Sequence, residues 1–121
     1  MLQMLIVDDE ENTANFLKDF FESKGFKTRA VYSGKAAIAE LVKQKASIIL
    51  LDVQMPGMNG IETLKQIKQQ SPGAKVLMVT GESDAETIEK TLQAGAEYYI
   101  LKPFTLQDLT AQVLKMTGRE T

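Results

Sequence analysis

The sequence predicts an α/β fold built on one doubly wound parallel sheet, and three observations carry that prediction. Five short runs rich in Ile, Val and Leu recur at residues 4–7, 28–31, 48–51, 76–79 and 98–101. Mostly continuous apolar runs of this length suit strands buried on both faces. Segments with helical apolar spacing lie between them, and capping or stop residues punctuate the joins. Strand–helix alternation repeated five times implies right-handed crossovers with helices on both faces of the sheet. The 121 residues, 44% hydrophobic and 25% charged, suffice for one core, so a single domain over residues 1–121 is expected.

Taken in order, the first run stops at Asp8-Asp9-Glu10-Glu11, after which Leu17, Phe20 and Phe21 mark a helical face that ends at Gly25. Glu10 and Glu11 are expected to open this helix, where its dipole favours negative charge. Beyond the second run, Ala37, Ile38, Leu41 and Val42 mark the second helix. The third run, SIILL, leads into Asp52, and the turn-forming Met55-Pro56-Gly57 delays the next helix. That helix has the start signal Asn59-x-x-Glu62, the face Ile61, Leu64 and Ile67, and the stop Gly73. The fourth runs from Ser83-x-x-Glu86 through Ile88 and Leu92 to Gly95. The fifth starts at Thr105-x-x-Asp108 and shows Leu106, Leu109, Val113 and Met116 on one face.

Composition narrows the chemistry. No Cys is present, so there is neither a disulfide framework nor thiol chemistry, and a cytoplasmic setting fits. The lack of His removes the commonest general base and zinc ligand, and any phosphohistidine, from this chain. A net charge of −2 with scattered Lys and Arg offers no basic patch for nucleic acid. No run of about 18 apolar residues suggests a membrane span, and no signal-peptide pattern opens the chain.

In doubly wound sheets, ligands bind outside the carboxyl ends of the strands, where the strand order reverses. The residues just after the five runs are Asp8-Asp9, Ser33, Asp52, Thr80 and Lys102. Each has an ordinary structural reading. Asp8-x-x-Glu11 forms a capping-box pattern, Asp52 reads as a hydrogen-bonded acid at a buried edge, Thr80 as a strand end and Lys102 as surface. Lys102 precedes Pro103, and an X-Pro bond admits a cis peptide that could aim the side chain inward. Together they carry more chemistry. Carboxylates about 4 Å apart repel by on the order of 4 kcal/mol at an effective dielectric near 20. Three of them side by side must raise their pKa values or hold a hard cation. An oxygen-only site with room for water suits Mg²⁺ best, with Mn²⁺ as a substitute. An ionised Asp can attack phosphorus, a cation and a Lys can neutralise phosphoryl oxygens, and a Thr hydroxyl can donate to one.

The motifs LIVDDE, LLDVQMPGMNG, VTG and LKPF, in this order and spacing, resemble the receiver domain of two-component response regulators over essentially the whole chain. The resemblance implies a flavodoxin-like (βα)5 fold with strand order 2-1-3-4-5. It implies that Asp52 is the phosphoacceptor, charged from a histidine kinase or histidine phosphotransfer protein that carries the missing His. The domain would thus catalyse its own phosphorylation and dephosphorylation without being a conventional enzyme. Asp9 and Asp52 would ligate Mg²⁺ directly with the backbone carbonyl of Gln54, and Asp8 would act mainly through a coordinated water. Lys102 would pair with Asp52 before transfer and with the phosphoryl group after it, and the bond to Pro103 would be cis. Thr80 would swing towards the phosphoryl group with Tyr99 following, altering the surface of the fourth helix, fifth strand and fifth helix that meets an output protein or domain. Gln54 and Glu82 occupy positions that tune phosphoryl lifetime in the family. Gly81 would leave the approach to Asp52 open. Such a domain would be a monomer or a phosphorylation-dependent dimer, and either a stand-alone regulator or part of a longer one.

Three other readings fit the sequence less well. A Mg²⁺-dependent hydrolase of the haloacid dehalogenase type needs Asp-x-Asp after its first strand, whereas here Asp8 and Asp9 are adjacent and Asp52 is followed two residues on by Gln54. An interaction module of the same fold that is never phosphorylated is opposed by the complete motif set. A flavodoxin-like FMN binder would carry hydroxyl and amide donors where this chain has Asp8-Asp9-Glu10-Glu11.

Overall fold

A computed structural model describes residues 2–52, 60–81 and 85–118. The elements alternate strictly: β1 (Gln3–Val7), α1 (Glu11–Ser23), β2 (Lys27–Val31), α2 (Gly34–Lys43), β3 (Ile48–Asp52), α3 (Gly60–Gln70), β4 (Lys75–Thr80), α4 (Ala85–Gln93), β5 (Tyr98–Leu101) and α5 (Leu106–Thr117). All strand pairings are parallel, in the order β2-β1-β3-β4-β5. The order reverses between β1 and β3, which places the topological switch point there.

Strand side chains alternate between faces, and the two faces build two cores. Met4, Ile6, Leu50, Leu77 and Val79 pack with Leu17 and Phe21 of α1 and with Leu109, Val113 and Met116 of α5. Leu5, Val7, Ile49, Leu51 and Met78 pack with Leu41 of α2 and with Leu64 and Ile67 of α3. The apolar runs of β1, β3 and β4 are continuous because both faces are covered. At the edges this fails: β5 buries Ile100 and leaves Tyr99 and Leu101 exposed, and β2 buries only Thr28 fully. Val42 and Leu92, expected on apolar helix faces, also lie at the surface. In α2 it is Ala37 and Leu41 that reach the sheet, and Val42 sits about 100° round the helix from Leu41.

Helix ends follow the sequence in part. Thr105 caps α5 by accepting from the Asp108 amide at 2.9 Å, while Asn59 and Ser83 lie outside the described residues. Ser33, which stood among the sheet-edge candidates, accepts from the Ala36 amide at 3.0 Å and caps α2. Gly95 stops α4 at φ 113°, a conformation that disfavours other residues, and a Cβ there would meet Lys68 Cγ at 2.9 Å. Lys68 is fixed in that position because it bonds Glu97 at 2.6 Å and the Ala74 carbonyl at 2.7 Å. Gly73 is not left-handed; α3 ends ahead of Pro72, whose ring disfavours helix at the residue before it. Among the described residues, no helix is long and apolar enough to cross a membrane.

Phe21 joins α1 to its turn, with edge-on ring contacts to Phe20 at 5.2 Å and Phe26 at 5.8 Å. It is fully buried. Phe21→Ala should therefore cost about 3–5 kcal/mol, measured by urea unfolding; a loss below about 1 kcal/mol would show that this core relaxes around the gap.

Candidate functional site

The site begins with strand register. Val7 pairs with Leu51, and the Asp8 amide continues the β1–β2 ladder by donating to the Val31 carbonyl at 3.1 Å. One step past the Val7–Leu51 pair, Asp8 comes level with Asp52, the last residue of β3. Adjacent strands are about 4.8 Å apart, so two carboxylates on the same face must crowd. Asp9 follows at the exposed end. One carboxylate oxygen from each of Asp8, Asp9 and Asp52 lies within 4.8 Å of the others.

Asp8 and Asp52 are buried, while Asp9 is exposed. Lys102, just past β5, places Nζ 3.0 Å from Asp52 Oδ2. Its backbone amide donates to the Thr80 carbonyl at 2.7 Å, and the Lys102–Pro103 peptide is cis. Among the described residues, no Lys or Arg forms an ion pair with Asp8, Asp9 or Glu10.

Burial pushes the Asp8 carboxyl above its ordinary range. The Glu10 amide, donating to Asp8 Oδ1 at 3.0 Å, opposes that rise. The Asp52 charge adds to it, Lys102 subtracts, and Asp9 adds a little more. The Glu10 contact also replaces the capping box that Asp8-x-x-Glu11 had suggested. Glu10 itself occupies the N-cap of α1 with no side-chain cap bond, and Glu11 lies in the first turn.

Asp8, Asp9, Asp52 and Lys102 thus meet at one place, and Thr80 ends the neighbouring strand with its carbonyl bonded to the Lys102 amide. Strand alternation assigns Asp8 and Asp52 to the face covered by α1 and α5, and Thr80 and Tyr99 to the face covered by α2 and α3. Thr80 is buried at the end of β4, and Tyr99 is 37% exposed on the neighbouring strand. Gly81 is exposed just beyond. Gln54 and Glu82 lie outside the described residues. Two features went unread in the sequence. The Glu10 amide holds Asp8, for which an Asp two residues ahead of a helix N-cap is a fair signal. A cleft of about 390 Å³ also runs from Asp8, Asp52 and Lys102 down between α1 and α5, and no local pattern announces it.

What the arrangement can do follows from its donors. Three carboxylate oxygens suit a hard cation, and Mg²⁺–oxygen distances near 2.0–2.1 Å put opposite ligands of an octahedron about 4.2 Å apart. Oxygens gathered within 4.8 Å could hold such an ion.

The comparisons with known proteins agree with this geometry. Residues 4–114 match the family model described as the response regulator receiver domain. The chain is 39% identical over 121 residues to the sensory transduction protein RegX3 of Mycobacterium tuberculosis, covering 98% of this chain and 52% of that protein. It is 32% identical over 120 residues to the response regulator ArlR of Staphylococcus saprophyticus, covering 99% and 54%. To the regulatory protein AtoC of Escherichia coli it is 34% identical over 107 residues, covering 88% and 23%. The chain thus spans about half the length of the first two relatives and under a quarter of the third. A two-component response regulator from Clostridium difficile superposes with a TM-score of 0.92 at 25% identity over 98% of both chains. The chemotaxis protein CheY4 of Vibrio cholerae does so at 0.90 and 27% identity, over 96% of this chain and 98% of that one. On the family match over most of its length, carried by an acidic sheet edge of the kind described above, this chain belongs to the response regulator receiver domains of two-component signalling.

Proposed function

We propose that this receiver domain accepts a phosphoryl group on Asp52 from a phosphohistidine donor, a histidine kinase or histidine phosphotransfer protein, in a Mg²⁺-dependent reaction. The observation that carries the reading is the Lys102–Asp52 pair, 3.0 Å long, at the rim of the three-carboxylate group. Asp8, Asp9 and Asp52 would hold the ion, with the Gln54 carbonyl as a further ligand and Mn²⁺ able to substitute. Bound there, the cation supplies charge neutralisation for the phosphoryl oxygens. Asp52 Oδ forms the new bond to phosphorus while the donor's P–N bond breaks and its electron pair returns to the imidazole. Lys102 leaves the carboxylate for the phosphoryl oxygens as negative charge passes to them. Water attacking the acyl phosphate returns Asp52 to its starting state, so the domain also limits its own signal; Gln54 and Glu82 are placed in sequence to set how long it lasts.

The readout runs through Thr80 and Tyr99. The Thr80 hydroxyl would donate to the new phosphoryl group, and Tyr99 would move into the space it leaves. They share a sheet face on neighbouring strands, and the bond from the Lys102 amide to Thr80 ties the site to them. The α4–β5–α5 surface would then engage an output protein or an output domain of a longer regulator, with a phosphorylation-dependent dimer as one form. A cytoplasmic setting suits such a relay, and this domain has no part in direct nucleic-acid or membrane contact. A haloacid dehalogenase-type hydrolase lacks its second Asp here, and a never-phosphorylated module would have no use for the acid–Lys arrangement.

Incubation with Mg²⁺ and acetyl phosphate should add one phosphoryl group to the intact mass, and Asp52→Asn should abolish it; labelling that survives the substitution would sink the assignment. Asp9→Ala should weaken Mg²⁺ binding by more than about tenfold, read by calorimetric titration, and an unchanged isotherm would place the ion elsewhere. Burial raises the Asp8 pKa above its ordinary 3.8, so ionised Asp8 destabilises the metal-free fold at neutral pH. That penalty fades as pH falls through the raised pKa and is gone below the ordinary value. Asp8→Asn should therefore stabilise the metal-free domain at pH 7, with a gain that shrinks on acidification; a pH-independent difference between the two proteins would contradict it.

A further inference from the structure

We propose that Glu97, held by Lys68, is a positioning residue for Lys102: it sets the register of β5 and so delivers the Lys102 ammonium to Asp52. Its effect on chemistry rests on the phosphoacceptor reading of Asp52; its effect on where Lys102 sits does not.

β5 needs such a device because its apolar pattern does not fix its register. It is a four-residue strand, Tyr98-Tyr99-Ile100-Leu101, at the edge of the sheet beside β4. All four side chains are large and mainly apolar. A slip of one residue along β4 would therefore trade one such side chain for another through most of the strand, where a slip normally exposes apolar groups and buries polar ones. Packing gives little further guidance, since Ile100 is buried while Tyr99 and Leu101 are each 37% exposed.

Directional bonds at the start of the strand supply what the pattern lacks. The Glu97 amide donates to the Val76 carbonyl at 3.1 Å, and Glu97 Oε2 accepts from the Val76 amide at 2.7 Å. Glu97 thus closes on both backbone groups of one β4 residue. Its Oε1 accepts from Lys68 Nζ at 2.6 Å, and the same Nζ donates to the Ala74 carbonyl at 2.7 Å. Bonds between charged partners are shorter and stronger than neutral ones. The Lys68 stem also lies under the turn that leads into β5, where a Cβ at Gly95 would meet its Cγ at 2.9 Å. Moving β5 along β4 would break bonds to Val76 and Lys68 together. Five residues on from Glu97, about 16 Å along a strand rising about 3.3 Å per residue, the Lys102 amide donates to the Thr80 carbonyl at 2.7 Å. Lys102 Nζ lies 3.0 Å from Asp52 Oδ2.

The test compares the parent chain with Glu97→Ala and Lys68→Met by reductive methylation of lysine amines, mapped by mass spectrometry, with the exposed Lys35 as internal reference. An ammonium bonded to a carboxylate gives up its proton less readily and reacts slowly. Lys102 should therefore react at least about threefold faster, relative to Lys35, in either variant. In an Asp52→Ala background the same changes should add nothing, because the partner is already gone; general fraying of β5 would speed the reaction in both backgrounds. An unchanged Lys102 rate in both variants, or an equal increase without Asp52, would overturn the proposal. Should Glu97→Ala fail to fold in a urea titration, Lys68→Met carries the comparison. Labelling with acetyl phosphate and Mg²⁺ separates the two readings. Where the parent is labelled at Asp52, Glu97→Ala or Lys68→Met should slow labelling about tenfold, and equal rates would count against Glu97. If the parent is not labelled while Lys102 responds, only the phosphoacceptor assignment is lost; if labelling proceeds and Lys102 does not respond, only the positioning role is.

Discussion

Parallel strands run about 4.8 Å apart, and in this sheet Val7 sits opposite Leu51, so that Asp8 comes level with Asp52 one residue later. The rest of the site depends on that register. It fixes two buried carboxylates side by side and brings Asp9 to their open flank. A slip of one residue would turn Asp8 to the other face, among Leu5, Val7, Ile49 and Leu51. Neither acid can move far to relieve the repulsion, because Asp52 is the last residue of β3 and Asp8, directly after β1, is held by its amide bond to the Val31 carbonyl. The fold therefore holds charge in a place where a cation or a proton relieves it; burial first, and the Asp52 charge after it, raise the pKa of Asp8.

Alternation along the strands sorts the candidate residues between the two sheet faces. Asp8, Asp52 and the cleft lie on the face that α1 and α5 cover. Thr80 and Tyr99 lie by alternation on the other. The connection passes through the backbone at the ends of β4 and β5, where the Lys102 amide holds the Thr80 carbonyl at 2.7 Å. At the opposite edge, Glu97 binds Lys68 and the Val76 amide, fastening the start of β5 to α3 and β4. One end of β5 is thus clamped while the other meets the acidic group. Tyr99 and Leu101 are partly exposed, so one face of this strand is only half covered.

Much of this was legible in the sequence for a physical reason. Central parallel strands must be apolar on both faces, so β1, β3 and β4 announce themselves as continuous runs. The acids and Lys102 stand out because polar groups directly after such runs must sit at one sheet edge. The edge strands were read correctly as strands but not as half-exposed, since burial depends on which neighbours lie alongside. Val42 and Leu92 were assigned to apolar faces because a helical pattern in sequence does not say how wide the covered stripe is. Ser33 looked like part of the site because it follows a strand run, yet a hydroxyl there serves equally to cap the next helix. The cleft could not be read at all, since Leu17, Val79, Phe104 and Leu109 come from four separate segments.

The central claim, that the fold stores carboxylate repulsion for one cation to relieve, is tested most directly by unfolding free energy against Mg²⁺ concentration. A single ion bound only to the folded state should leave stability flat below its dissociation constant, then raise it by about 1.4 kcal/mol per tenfold increase in Mg²⁺. Stability that stays flat across the whole titration, or rises equally with NaCl of the same ionic strength, would contradict it.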